Sequence, residues 1–288
     1  MNQKQVPIVV ALFWIVCSII LVAGGGYSLH RCLGAKTNNT PQSEQKIINI
    51  LQRGTTKEAL STRYLAEILA LSVDKPVNAK SFDLAFAEKR LRSSPVIKKA
   101  AVSISKQNTV VIDYEARLPV ALLYDYINIA LDSSGVAFPL YPFYSPKNLT
   151  EIYLGEALPL QWNKPLAHPK IELAMKLLNN LSLAPFALKR IDVSESFAES
   201  YGKRQIILII EEFFKIQWES KEITCILPRV LRLSSKDYRK DLGNYLVLRD
   251  DETLAFDPQV AKFEADGKIA RLPAQVIDFR ISNMAFIK

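Results

Sequence analysis

Apolar and polar positions along the chain change period several times, and each change marks an element. Residues 46–52 (KIINILQ) read as a short strand punctuated by Gly54. Over 61–71 the spacing of Leu65, Ile68 and Leu69 is helical, with Ser61 or Thr62 as N-cap. A second helix is predicted over 81–92, where Leu84 and Leu91 mark one face and Phe82 and Phe86 lie beside it. Pro95 ends it, because the residue before a proline is pushed out of helical geometry. The period then drops to two. Ala100, Val102 and Ile104 alternate with Ala101, Ser103 and Ser105; Lys106-Gln107-Asn108 turns the chain; Val110, Ile112 and Tyr114 alternate with Val111, Asp113 and Glu115. The order strand, helix, helix, strand, strand predicts a three-stranded sheet with both helices on one face, a thin core for about 70 residues.

Leu118-Pro119 marks a boundary. Short strands are predicted at 120–126, 129–132 and 136–138, with Ser133-Ser134-Gly135 as a turn. Residues 139–169, rich in proline and aromatics, read as ordered loop with a strand at 151–154. Residues 170–181 form a helix, with Ile171, Ala174, Met175 and Leu178 in one stripe and Pro169 at its start. A short strand is expected at 190–194. Arg204–Ile210 is nearly continuous in apolar residues, the pattern of a strand buried on both faces, and 213–218 is its expected hairpin partner. Residues 224–242 are mixed: Ile226, Val230 and Leu233 allow a helix after Pro228. Residues 244–248 read as a strand, 250–272 show little periodicity, and 274–287 close the chain as one or two strands. The predicted fold class is α+β: a small βααββ unit followed by a mixed β-sheet with flanking helices.

The apolar pattern at the N-terminus is of another kind. No charge occurs between Lys4 and His30. A helix needs about 20 residues to cross the hydrocarbon of a bilayer, and this run is long enough. Trp14 lies mid-span, Tyr27 near the outer interface, and Pro7 suits a first helical turn. The run exceeds the usual core of a cleaved signal, which favours a retained anchor. Residues 30–44, polar and containing Gly and Pro, read as a linker. Lys4 on one side against Arg31 and Lys36 on the other leaves orientation unfixed by charge.

Composition narrows the chemistry. The net charge of +8 is spread without a block of like charges or a basic stripe with interleaved aromatics, which argues against a nucleic-acid partner. Three cysteines, Cys17, Cys32 and Cys225, are too few for a disulfide framework. The two histidines, His30 and His168, sit at the membrane edge and before Pro169, where a helix-start role fits better than a base. No clustered metal ligands and no nucleotide-binding or nucleophile motif occur, so no metal and no cofactor is expected. The pairs Glu211-Glu212 and Asp250-Asp251 read as solvated charge at strand ends or turns. The sequence argues against an enzyme.

Several stretches together resemble the bacterial cell-division family FtsQ/DivIB. "LRSSPVIKKAAVSI" is similar to its leucine, proline and alanine pattern entering a strand, "VVIDYEARLPVALL" to its strand ending in Glu, Arg, Pro, Val and Ala, and "ALDSSGVAFPL" to its Asp-x-x-Gly turn with a following Phe. Arg204–Leu208 resembles an Arg-Gln-x-x-Leu strand, and "VIDFRISNMAFIK" a terminal Asp-x-Arg strand, with Ile281 where the family often has Tyr and Met284 near its usual Gly. The resemblance runs over 46–288. It implies a cytoplasmic tail (1–6), a transmembrane helix (7–27), a linker (28–44), a POTRA domain (45–117) and a β domain (118–288), the last two outside the cytoplasm.

The implied function is that of a non-catalytic divisome scaffold in the inner membrane at the septum. Its partners would be small single-pass coiled-coil proteins of the FtsB/FtsL type and the septal wall synthase complex. The rival classes are a POTRA-containing envelope assembly or secretion component, which predicts repeats or a barrel, and a wall-processing enzyme. A terminal strand with a free edge is a template for strand addition. Backbone hydrogen bonds contribute only about 0.5–1.5 kcal/mol each, whereas micromolar affinity needs about 8 kcal/mol, so side chains must add to them. Arg280, Ile281, Met284 and Phe286 are the candidates; packing of the apolar three onto the sheet's own helices is the competing reading.

Overall fold

The structure is a computed structural model that describes residues 46–54, 59–218, 221–251, 260–264 and 268–288. The expected tail, span and linker, with Cys17, Cys32 and His30, lie outside the described residues. Among the described residues no helix is long and apolar enough to cross a membrane. The class is α+β, with four α-helices and two sheets among the described residues.

The first sheet comprises β1 (Asn49–Gly54), β2 (Ile97–Ile104) and β3 (Thr109–Ala116) in the order β1-β3-β2. β1 runs parallel to β3, and β2 antiparallel to it. Helices α1 (Thr62–Ile68) and α2 (Leu84–Ser93) join β1 to β2. The Asp83 carboxylate accepts the Phe86 N–H at 2.9 Å and fixes the start of α2. Its buried stripe is Ala87 and Leu91; Leu84 and Phe86 stay partly in water, because the helix lies on the sheet along the line where small Ala87 permits close approach. α2 also closes an edge. Arg92 donates to the Ala100 carbonyl through Nε and Nη2, and Glu88 accepts the Val102 N–H, so the outward backbone of edge strand β2 is occupied.

At Leu118-Pro119 the chain leaves this sheet for the larger one, which contains β4 (Ala121–Leu123), β5 (Ile129–Leu131), β6 (Ala137–Pro139), β7 (Thr150–Tyr153) and β8 (Ala187–Asp192). It continues through β9 (Ile206–Trp218), β10 (Lys221–Leu233), β11 (Lys262–Phe263), β12 (Ile269–Arg271), β13 (Gln275–Asp278) and β14 (Phe286–Ile287). The order is β11-β12-β10-β9-β8-β7-β4-β5-β6, with β13 also on β10 and β14 on β13. The packing does not respect the switch of sheets. Phe138, Leu140 and Tyr144 return to the first core, where Phe138 is fully buried beside Val96, Ile97 and Tyr114. Arg117 ties the two parts together. It donates to the Pro95 carbonyl (3.0 Å), to Asp132 (2.6 Å) and to Asn163 (3.1 Å), while its own carbonyl accepts the Tyr144 hydroxyl (2.6 Å).

Helix α3 (Pro169–Asn180) and helix α4 (Tyr238–Asp251) share the core with Ile206, Leu208, Ile210, Leu231 and Leu233, all fully buried. Along α3 the buried third residue is Leu177; Met175 and Leu178 flank it, half-buried. Ile207 and Ile209 are only partly covered, so β9 is buried on one face and not two.

Three further expectations are corrected. Residues 213–218 continue β9, and its antiparallel partner is β10, with Ile206 opposite Leu233 and Trp218 opposite Lys221. Residues 221–233 are strand throughout, Pro228 included. Backbone groups of Thr224, Ile226 and Arg232 bond toward β12 and β13. By the alternation of the ladder Pro228 faces the same side, into the break between β12 and β13, where no N–H is needed. Residues 244–248 are helical. α4 packs Tyr238, Leu242, Tyr245 and Leu248 on the core, but exposed Leu246 and Val247 beside them blur that stripe in the sequence; Tyr245 and Asp241 are its most buried side chains.

Candidate protein-interaction site

The last residues form the open margin of the larger sheet. Val276 and Lys288 exchange both backbone hydrogen bonds, N–H to O at 3.0 and 2.9 Å. The next opposed pair, Ile277 and Ile287, is therefore of the non-bonded kind, and the Ile287 N–H and C=O point away from β13. Nothing in the described sheet pairs with β14 on that side. Ile281, Met284 and Phe286 are 55%, 57% and 52% exposed, so they do not pack onto the sheet's own helices.

Beside this edge lies a cleft of about 330 Å³. Arg280, Ile281 and Phe286 line it, and Met284 stands outside it. Asp278 anchors the Arg280 guanidinium through contacts of 2.8–3.1 Å, and the Gly202 carbonyl accepts a further bond at 3.3 Å. Arg232 reaches the same carboxylate at 3.3 Å and donates to Gln205. Burial would raise the Asp278 pKa, but hydrogen bonds from Arg280 and the two guanidinium charges outweigh it and hold the carboxyl below its ordinary range.

The opposite wall comes from the segment before β9. Tyr201 presents its ring between two cations, the Arg204 guanidinium at 5.3 Å and the Lys236 ammonium at 5.1 Å from its centroid. Arg204 is held by the Ala198 carbonyl at 2.6 Å. Ser234 and Ser235 add hydroxyls. Three cations against one carboxylate, next to unpaired backbone groups and exposed apolar side chains, suit an extended acidic segment. Tyr201, Arg204 and Lys236 were missed as site residues. Arg204 stood in a recognisable strand motif, but only the fold sets it against Arg280.

Glu211 and Glu212 lie in the middle of β9, not at a strand end, and the reading of them as solvated charge is corrected. Glu211 is held by Lys189 (3.2 Å) and Arg271 (2.8 Å); these contacts outweigh burial and lower its pKa. Glu212 is 2% exposed. It accepts the Tyr245 hydroxyl at 2.7 Å and Arg249 Nε at 2.6 Å, and lies 3.3 Å from Nε of the fully buried Arg229. Burial, then the bond to Glu212, pushes the Tyr245 phenol well up. This cluster clamps α4 to the sheet. Asp250-Asp251 ends α4. His168 caps α3, its Nδ1 accepting the Lys170 N–H at 3.3 Å. Cys225 is a buried free thiol. No protein-family model matches the chain, and no curated protein is recognisably similar to it in sequence.

Proposed function

We propose that the chain is a non-catalytic scaffold of the bacterial division complex, of the FtsQ/DivIB type. In this reading residues 7–27 hold it in the cytoplasmic membrane, the βααββ unit at 45–117 is a POTRA domain, and the β-rich part at 118–288 binds partners outside the cytoplasm. It links small single-pass division proteins and through them regulates septal wall synthesis. One observation carries the reading: an open strand edge at β14 stands beside a cleft walled by Arg204, Lys236 and Arg280. A partner segment that adds a strand there gains backbone hydrogen bonds from the edge, and from the cleft the side-chain energy that an edge alone lacks.

The test uses the outward N–H of Ile287. Proline is tolerated on an edge strand whose N–H faces away from the sheet, so Ile287→Pro removes the docking donor and keeps the bonds to β13. Pulldown of FtsB/FtsL-type partners should fall about tenfold or more, equal to about 1.4 kcal/mol, with unchanged thermal unfolding. Undiminished pulldown shows that the edge is not the docking site. Removal of residues 284–288 is the stronger variant; a cut further back would take Ile277 and Phe279 out of the core. A fluorescent fusion of the full chain gathers at the division plane, and uniform envelope staining overturns the division reading.

A further inference from the structure

We propose that the face through which the chain enters the first sheet is a docking surface for anionic lipid. This rests on the anchor reading above.

Lys46 bridges to Asn78, and the Ile47 N–H bonds the Val77 carbonyl at 2.9 Å, so the loop at 72–78 lies against the start of β1. An apolar groove of about 440 Å³ runs between them, lined by Ile47, Ile50, Leu71 and Val77 among others. At its rim two apolar side chains stand out, Ile48 at 69% and Val73 at 97% exposure, with Leu51 at 46% farther along β1. Three exposed lysines flank the lining residues in sequence, Lys46 before Ile47, Lys75 between Val73 and Pro76, and Lys80 just after the loop, and Asp74 is the acidic residue of that loop. Protruding aliphatic groups on segments that also carry exposed lysines match a surface that offers hydrocarbon below negative headgroups.

The tether selects this occupant. The linker at 28–44 attaches directly to this face and not to another. Only residues 28–44 separate the expected span from this face, so the bilayer is present at high effective concentration and weak contacts suffice. Among the described residues no strand pairs with the outward edge of β1, which makes a strand-adding protein segment the competing occupant, whereas the β2 edge is closed by Glu88 and Arg92. The lysines and the tether favour lipid.

The test uses the full chain with Cys17→Ala and Cys32→Ser; Cys225 is buried. Val73→Cys carries an environment-sensitive fluorophore, in vesicles of phosphatidylethanolamine with phosphatidylglycerol as the minor component and spin-labelled lipid as quencher. Leu183→Cys, at a site 96% exposed on the larger sheet's side, is the reference. Docking predicts quenching at 73 roughly threefold stronger than at 183, reduced by Lys75→Glu or Ile48→Asp and by replacing phosphatidylglycerol with phosphatidylcholine. Equal quenching at both sites, in protein that stays with the vesicles after an alkaline wash, overturns the docking and leaves the anchor standing. Shielding of residue 73 from a water-soluble thiol reagent without lipid quenching also overturns it, and assigns the groove to a protein segment. Loss of the protein in the wash refutes the anchor itself.

Discussion

Among the described residues two buried ion-pair clusters differ in what they hold. At the junction, Arg117 and Asp132 are 8% and 5% exposed as side chains and join the two sheets. Under α4, Glu212 meets Arg229, Arg249 and Tyr245 and joins a helix to a sheet. The junction pair is over-supplied with partners. Asp132 Oδ1 also accepts the Ser134 and Val136 N–H groups, and Arg117 reaches two acceptors besides Asp132. Under α4 one carboxylate faces two guanidiniums and accepts the Tyr245 hydroxyl. A buried ion pair is weak evidence for net stability, but removing one partner of it is costly. The lesson is that cost should follow how many partners remain.

The largest expected effect is Glu212→Leu, which strips the carboxylate from fully buried Arg229. It should lower stability by about 3–5 kcal/mol, read by chemical denaturation, with hydrogen-exchange protection lost in α4, β9 and β10 and retained in β1–β3. A loss under 1 kcal/mol would sink the clamp. Arg117→Ala should cost less, about 2–3 kcal/mol, because Asp132 keeps its turn bonds; its signature is loosening on both sides of the junction. If protection falls on one side only, the junction is not the shared element described. Tyr245→Phe removes a single hydroxyl and keeps the ring's edge-to-face contacts with Phe186 and Phe279, so about 1–2 kcal/mol is expected.

The smallest effects concern pH, and two carboxylates give opposite signs. Asp278 has a lowered pKa, so it contributes stability at neutral pH that is lost as pH falls through its folded value; Asp278→Asn should flatten the acid limb of a stability–pH curve. Asp241 has a raised pKa, because burial outweighs its bond from the Ser234 N–H. Its favourable contribution is full in acid, below the ordinary aspartate range near about 3.9, and is lost as pH rises through the folded value. Asp241→Asn should therefore be neutral to stabilising at pH 7 and lose that advantage in acid. The opposite order in urea titrations at the two pH values would contradict the burial argument.

The same contrast explains how far the sequence could be read. The βααββ order and α3 follow from period alone, because each buries an apolar stripe and little else. Arg117 and Asp132 sit in visible motifs, though only the fold shows them touching. α4 was misread as a strand because exposed Leu246 and Val247 fill in the run around Tyr245 and Leu248 and hide the helical spacing of Tyr238, Leu242, Tyr245 and Leu248, which pack on the core. Its polar ties, Asp241 to the Ser234 N–H and Tyr245 to Glu212, leave no periodic trace. β10 was misread for a local reason, a proline that only the break between β12 and β13 makes harmless. The cleft was half legible: Arg280, Ile281 and Phe286 come from one segment, but Arg204 and Lys236 reach it from distant ones.

The shortness of β14 has a mechanical consequence. Two opposed pairs and the Val276–Lys288 hydrogen bonds join it to β13, whereas β9 and β10 share thirteen opposed pairs. If a partner adds a longer strand to β14, the weakest seam under tension lies inside this chain, between β13 and β14, and not at the contact between proteins. The terminal strand then acts as a release that opens before the sheet behind it is strained. Pulling on a bound partner in a single-molecule trap should give a short, low-force extension before any rupture of the β9–β10 hairpin, and a single high-force rupture would contradict it.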